Sequence, residues 1–291
     1  MKKILLTTLS LLMFTGCVSE GKTTINNKDE VVYELNDRTL TKGEIYNLML
    51  AQNGYMAILE EAQNFILEKE VVLTEEDHKE IEKEFDDIKA MYTEGWEDTL
   101  LQIGYKDEVA FKDTIILRKK DEKLLTKFIE LKLADYITLY SPKQIQVMTY
   151  TDKAVAELAL ADLKADHDFN DVAEKNNSTG NSEKYVYTNQ AKLSFDVKSF
   201  IDKSSSNTLS EILEETIPAT EEGKEATVKY HIVKVVDTDT NNFKEDLIDA
   251  LAAIETIKTE MLVHYLNEYN FTVYNKEVKS IIDSINPDYL G

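Results

Sequence analysis

Cysteine, proline and glycine are scarce in this sequence: its 291 residues include one cysteine, three prolines and nine glycines. A single cysteine excludes an intramolecular disulfide and any metal site built from several thiolates. So few prolines and glycines argue against collagen-like and low-complexity chains, and they disfavour a turn-rich all-β fold. Hydrophobic residues make up 43% of the chain and aromatic residues 9%, which is enough for a packed core. The length corresponds to one or two domains of about 100–200 residues each.

Motifs for nucleotide, metal and nucleophilic chemistry are also missing. There is no GxxxxGKS/T phosphate loop, no GxGxxG and no GxSxG. The four histidines, His78, His167, His231 and His264, are scattered and lack the HExxH spacing of zinc enzymes. We therefore expect neither a metal nor a cofactor.

Positive charge is in short supply, because 33 Lys and Arg face 55 Asp and Glu for a net charge of −22. Nucleic-acid binding needs a Lys/Arg surface that neutralises phosphates, so we expect no nucleic-acid partner. The same charge repels an anionic membrane surface. Any attachment to a membrane must then be covalent or apolar.

The N-terminus has the pattern of an export signal. Two lysines precede an apolar run, Ile4–Phe14, that is too short for a bilayer-spanning helix of about 20 residues. Phe14–Cys17 resembles a bacterial lipobox, in which cleavage precedes the cysteine and its thiol carries a diacylglycerol. This predicts a signal peptide over 1–16, lipidation at Cys17 and a flexible tether over 17–30; the alternative is a plain secretory signal with a chance cysteine.

Capping residues and hydrophobic periodicity predict a helical first part. Val31–Asn36 alternates and is rich in β-branched residues, which predicts a short strand. Thr41 and Glu44 form a capping-box pattern that begins a helix, and Thr74 caps the next one. Helical stripes then continue as far as Tyr140.

The pattern changes after this point. Ile145–Tyr150 and Thr227–Val236 predict strands, with a helix beginning after Thr151. Phe243–Tyr269 predicts one long helix, because apolar residues recur on one face, and Phe271–Asn275 predicts a closing strand.

This order predicts an insertion. We expect residues 31–142 and 238–291 to form one discontinuous helical domain, and 143–237 to form an inserted α/β domain. Val31–Asn36 and Phe271–Asn275 are expected to pair, because each would otherwise leave an exposed strand edge.

Four short motifs, taken in order with Cys17, carry a family resemblance. They are the strand followed by Thr-Lys-x-Glu and a long helix at Val31–Glu44, the Leu-x-x-x-Gly-Tyr-x-x-x-Val-x-Phe run at Leu100–Phe111, the Asp168–Ala173 segment close to dF-x-x-lA, and Lys229–Val235, which matches gyHIikv. Over nearly its whole length the chain resembles a PrsA-type foldase lipoprotein, the Gram-positive relative of the periplasmic chaperone SurA. The resemblance implies an α+β fold: a mainly helical SurA-like N/C chaperone domain with an inserted parvulin-like α/β domain.

The parvulin resemblance implies a peptidyl-prolyl isomerase site, from which this chain departs. His231 matches the family's second histidine, whereas Gln146 stands at the first and is expected to face His231. Gly180 falls near the family's Asp or Cys, and residues 182–187 replace a Gly-Gly segment. Either Phe195 or Phe200 is expected to line a proline pocket. The alternative for His231 is a half-buried strand histidine whose ring nitrogens simply find partners.

These features predict a membrane-anchored extracytoplasmic foldase that assists secreted proteins after translocation. Its partners would be unfolded or newly secreted polypeptides and the membrane, through the lipid on Cys17. Methionines and aromatics of the helical part could also line an adaptable apolar cradle for such chains. One alternative is an active peptidyl-prolyl isomerase, and another is a structural or adhesive surface lipoprotein without folding activity.

Overall fold

A computed structural model describes residues 25–35, 38–92, 95–219 and 226–291. Cys17, the signal peptide and the first part of the predicted tether lie outside these residues. The chain divides into two compact units: Leu262–Gly291 joins the described residues up to Val72, and Leu73–Met261 forms the second unit. The domain boundaries predicted at 142/143 and 237/238 differ from this division and stay a prediction.

The first unit begins with a β-hairpin of β1 (Val31–Leu35) and β2 (Arg38–Thr41). The expected pairing of the first strand with Phe271–Asn275 is wrong, because β1 pairs with β2 and Phe271–Asn275 is not a strand. A partner two residues further along the chain is reached at a much smaller cost in loop-closure entropy than one at the other end of the sequence. Val273 instead packs in the core of this unit.

The predicted capping box begins the first helix: Glu44 N–H donates to the Thr41 hydroxyl, and Thr41 N–H donates to the Glu44 carboxylate at 2.7 Å. Gly43 N–H and Lys42 N–H also donate to the carbonyls of Lys28 and Glu30, so these two residues belong to the fold rather than to the predicted tether. The helices of this unit are α1 (Lys42–Met49), a π-helical turn (Leu50–Gly54), α2 (Tyr55–Glu70) and, in the C-terminal segment, α11 (Lys276–Ile285) and a 3-10 turn (Pro287–Leu290).

The second unit opens with a helical layer of α3 (Glu75–Ala90), α4 (Trp96–Gln102) and α5 (Glu108–Tyr140). Thr74 caps α3 as predicted, with Asp77 completing a capping box. The apolar stripes of the three helices meet in a core that contains Ile81, Phe85, Trp96, Leu100 and Ile115. A ladder of ion pairs joins α3 to α5: Asp77–Lys123, Glu80–Lys119, Glu82–Lys112 and Glu84–Arg118.

The sheet of the second unit is antiparallel and is built around two long strands. Its strands are β3 (Lys143–Tyr150), β4 (Tyr185–Tyr187), β5 (Thr208–Leu209), β6 (Leu213–Ile217) and β7 (Thr227–Asp237). The order is β4-β3-β7-β5, and β6 pairs with β7 further along the same edge as β5. β7 is therefore central, and β6 is an edge strand.

Helices cover both faces of this sheet. On one face, α6 (Lys153–Lys164) and α7 (Phe169–Lys175) pack over Met148, Tyr150 and Ile232. On the other face, α8 (Phe195–Lys203) packs over Ile145, Val147, Val233 and Val235. Because side chains alternate between faces along a strand, even-numbered residues of β3 face α6 and α7, and odd-numbered ones face α8.

The chain then continues through a 3-10 turn (Thr240–Phe243), α9 (Lys244–Ala252) and α10 (Glu255–Glu268). The prediction of one unbroken helix over 243–269 is wrong, because the helix stops at Ala252 and a new one begins at Glu255. Buried residues at helical spacing continue across the break, so periodicity alone does not reveal it. The α+β fold class with mainly helical content is confirmed.

Candidate functional site

His231 lies on the central strand β7 and is only 9% exposed. Its Nδ1 is 3.0 Å from the Thr149 hydroxyl on β3, and its Nε2 is 3.0 Å from the Glu215 carboxylate on β6. Three adjacent strands thus supply one side chain each. Thr149 is the register partner of His231 on β3, and Leu213 is its register partner on β6. Glu215 follows Leu213 by two residues, so its side chain lies on the same face of the sheet.

These contacts assign the protons of the imidazole. A carboxylate only accepts hydrogen bonds, so Nε2–H donates to Glu215. In the neutral ring Nδ1 then accepts from the Thr149 hydroxyl, which fixes both the tautomer and the ring orientation. The arrangement satisfies both ring nitrogens of a nearly buried histidine, as the alternative from the sequence expected.

Gln146 does not face His231. It pairs with Lys234 and lies on the α6 and α7 side of the sheet, whereas His231 lies on the α8 side. The buried Gln146 amide donates to the Asn170 side-chain oxygen at 3.2 Å and to the Ser182 carbonyl at 2.7 Å. The expectation of a facing pair is wrong, because Thr149, three positions further along β3, lies opposite His231. An odd number of residues along a strand places a side chain on the opposite face of the sheet.

Gly180 belongs to a segment that continues the sheet beyond β4. Val147 N–H donates to the Asn181 carbonyl at 2.9 Å, and Thr179 N–H donates to the Thr149 carbonyl at 3.0 Å. A Cβ on Gly180 would lie 2.4 Å from the Val147 carbonyl oxygen, which no side chain tolerates. Glycine stands here because the two backbones touch, so this position cannot present an acid or a thiol to His231.

The two candidate pocket phenylalanines have different surroundings. Phe195 begins α8 and is 82% exposed, whereas Phe200 packs against the α8-side core beside Leu213. Lys143 anchors the far end of the same helix, since its ammonium donates to the carbonyls of Ile201 and Ser204 at 2.6 and 2.8 Å. Burial lowers the pKa of Lys143. Phe195 is therefore the ring that a bound segment can reach, on a helix whose end is held in place.

Sequence reasoning missed Thr149 and Glu215. Thr149 could have been found from the alternation of side chains along the strand, because it lies on the same face as Val147 and opposite His231. Glu215 gave no signal, since Leu213–Ile217 is a short strand of mixed polarity that was not predicted at all. Within the described ranges no group of three or more His, Cys, Asp or Glu side chains is placed to hold a metal ion.

Two curated relatives of the chain are both named foldase protein PrsA. No family model matches the chain. It is 31% identical over 160 residues to the foldase protein PrsA of Geobacillus sp. (strain WCH70), an alignment that spans 53% of this chain and 56% of that protein. It is 26% identical over 168 residues to the foldase protein PrsA of Geobacillus kaustophilus (strain HTA426), spanning 57% and 56%. The chain resembles PrsA-type foldases. The resemblance predicted from the motifs is thus confirmed, and the chain spans about half the length of the curated relatives it matches.

Solved structures with the PrsA name are also similar to the chain. A foldase protein PrsA from Streptococcus pneumoniae aligns with 19% identity and a TM-score of 0.44, covering 87% of this chain and 98% of that one. A peptidylprolyl isomerase (PrsA) from Bacillus cereus aligns with 15% identity and a TM-score of 0.48, covering 90% and 100%.

Proposed function

We propose that this protein is a membrane-anchored extracytoplasmic foldase, which binds secreted polypeptides after translocation and whose parvulin-like domain has little isomerase activity. The observation that carries the proposal is the surroundings of His231. Its partners are a threonine and a glutamate. The β3 residues on its face are Lys143, Ile145, Val147 and Thr149, so β3 places no second histidine opposite it.

Prolyl isomerisation needs no covalent step, but its barrier is about 18–20 kcal/mol. A catalyst lowers it by binding the twisted amide better than either planar form. Parvulins place two histidines and an acid or thiol below a proline pocket. Here none of the β3 residues on the face of His231 is a histidine, and Gly180, which falls near the family's acid or thiol, has no room for a side chain. The remaining histidine is bound to its own neighbours, so it has no free ring nitrogen for a substrate.

Polypeptide binding needs apolar surface rather than this histidine, and the first unit exposes such surface. A soluble domain seldom exposes many large apolar side chains close together unless they bind something. Exposed apolar residues concentrate on the hairpin and the first two helices: Val31, Val32, Tyr33, Leu35, Leu48, Met49 and Met56. Methionine side chains repack readily, which suits a surface that accepts many sequences.

A second candidate function, active prolyl isomerisation, is favoured by the Glu215–His231–Thr149 chain of hydrogen bonds. A bound peptide could displace the Thr149 hydroxyl from Nδ1, while Glu215 kept the imidazole oriented. The exposed ring of Phe195 would then be available to hold a proline.

A paired assay separates the two functions. We expect isomerisation of a short proline peptide near the uncatalysed rate, and clear suppression of aggregation of an unfolded protein. His231→Ala should change any isomerase rate by less than about tenfold, equivalent to about 1.4 kcal/mol of barrier. It should leave aggregation suppression intact.

A fast isomerase whose rate collapses in His231→Ala would make the second function correct. Absence of both activities would instead favour a structural or adhesive lipoprotein.

A further inference from the structure

A groove of about 410 Å³ separates α8 from the edge strand β6. It lies next to the β6 edge of the sheet. Its apolar lining consists of Phe200, Ile212 and Leu213. Its charged lining residues are Asp196, Lys203 and Glu214.

The edge of β6 beside this groove has main-chain groups directed away from the sheet. Ser210 N–H donates to the Val233 carbonyl and Val233 N–H donates to the Ser210 hydroxyl, both at 2.8 Å, so Val233 faces this edge. Strand residues alternate in hydrogen-bond direction, so His231 and Lys229 face the same edge and meet Leu213 and Glu215. The intervening Glu214 and Thr216 therefore direct their N–H and C=O groups outward. Within the described ranges, no strand pairs with that side of β6.

The rim also carries a carboxylate without a cation. Glu214 is paired with Lys153 at 2.7 Å, but Asp196 has no Lys, Arg or His partner in the part of the chain that the structure describes. A protein with a net charge of −22 attracts basic segments over longer distances as well. The apolar lining, the open strand edge and the unpaired carboxylate are complementary to one kind of partner.

We propose that this groove binds an extended, basic polypeptide segment, which adds a strand to the outer edge of β6 and places one apolar side chain against Phe200 and Leu213. Main-chain hydrogen bonds to Glu214 and Thr216 supply affinity for any sequence, and a lysine or arginine beside the apolar residue pairs with Asp196. His231 does not line the groove, although it is the register partner of Leu213. The proposal rests on the proposed function and deepens it by naming the segments that the foldase holds.

The test uses fluorescence anisotropy with the full chain and a labelled, proline-free peptide in which leucine and lysine are separated by threonine. Thr216→Pro removes the outward N–H from an edge strand that tolerates proline, and we expect it to weaken binding by about tenfold or more. Thr216→Ala keeps the N–H and is the matched control, with affinity within about twofold of the wild type. Asp196→Lys should weaken binding of the same peptide, because it replaces the carboxylate that pairs with the peptide's lysine.

Changes in the peptide address the case in which a variant is misfolded. A version with alternate backbone amides N-methylated should bind the unchanged protein much more weakly, and so should a version with glutamate in place of lysine. Equal binding of the N-methylated peptide, or of Thr216→Pro and Thr216→Ala, would overturn strand addition. A concentration-dependent dimer that Thr216→Pro abolishes would show that a second copy of the chain occupies the edge instead.

Failure of this site is distinguishable from failure of the proposed foldase. If the peptide still binds to His231→Ala but the protein does not suppress aggregation, the groove proposal is supported and the foldase function is wrong. If Thr216→Pro suppresses aggregation as well as the wild type does, the foldase function is supported, and the groove is not the site at which it binds clients.

Discussion

The backbone of Gly180 touches the backbone of β3. This contact lies next to Thr149, so a change at residue 180 affects the position of the strand that contacts His231. The Ser178 hydroxyl accepts from Thr149 N–H at 3.0 Å, so the segment around Gly180 fixes the strand position that contacts His231. A methyl group at residue 180 would have to push Val147 and Thr149 away.

We expect Gly180→Ala to lower the free energy of unfolding by about 1–3 kcal/mol, the range for overpacking against a rigid neighbour. Asn181→Ala is the matched control, because Asn181 is exposed and holds β3 through its main chain alone; it should stay within about 0.5 kcal/mol of wild type. Urea unfolding monitored by circular dichroism measures both. Equal stability of the two variants would contradict the contact.

At the scale of elements, α3 is bound to α5 by charge as well as by apolar packing. Asp77 is the most protected member of the ion-pair ladder, with only 6% exposure. Hydrogen bonds from Lys123 and from the Thr74 hydroxyl and N–H lower the pKa of Asp77 well below its usual range. The same carboxylate therefore completes the capping box of α3 and links this helix to α5.

Asp77→Ala should destabilise the protein by about 1–2 kcal/mol at pH 7, because the capping box of α3 loses its carboxylate and Lys123 loses its partner. A carboxyl whose pKa is lowered by folding contributes stability above its unfolded pKa of about 3.9 and loses it as pH falls below that value. The difference between wild type and Asp77→Ala should therefore narrow between about pH 4 and pH 2. A constant difference across that range in urea titrations would assign the effect to packing.

Elements set by local chemistry could be predicted from the sequence. Both capping boxes and the end of α5 at Tyr140 follow from neighbouring residues, and they are confirmed. Pairing is not local: the face on which Gln146 lies depends on its register with β7, and a motif alignment does not fix that register. Glu215 was missed for the same reason, since its strand exists only as a partner of β7.

At the scale of the whole molecule, the proposed location depends on the N-terminus. None of the described helices is long and apolar enough to cross a bilayer. The membrane attachment we propose rests on Cys17, the one cysteine of the chain. Only a thiol accepts the diacylglycerol, and stable anchoring needs more than one acyl chain.

Cys17→Ser should release the protein from the membrane fraction into the culture medium or periplasmic extract. The measurement is fractionation after a high-salt wash, with wild type and Ser19→Ala as controls that keep the thiol. Retention of Cys17→Ser in the washed membranes would contradict lipid anchoring.

The first unit takes its residues from both ends of the chain, and this sets an order of assembly. Tyr269 stacks edge-on against Phe65 and its hydroxyl donates to Glu70, yet all of Leu73–Met261 lies between them in sequence. In the export that we propose, the second unit can complete its fold as it emerges, whereas the first must wait for Leu262–Gly291. Until then the π-helical turn and α2 lack the C-terminal core residues Val273, Val278 and Ile282 that pack against them. The foldase that we propose would therefore itself expose apolar surface for part of its own maturation.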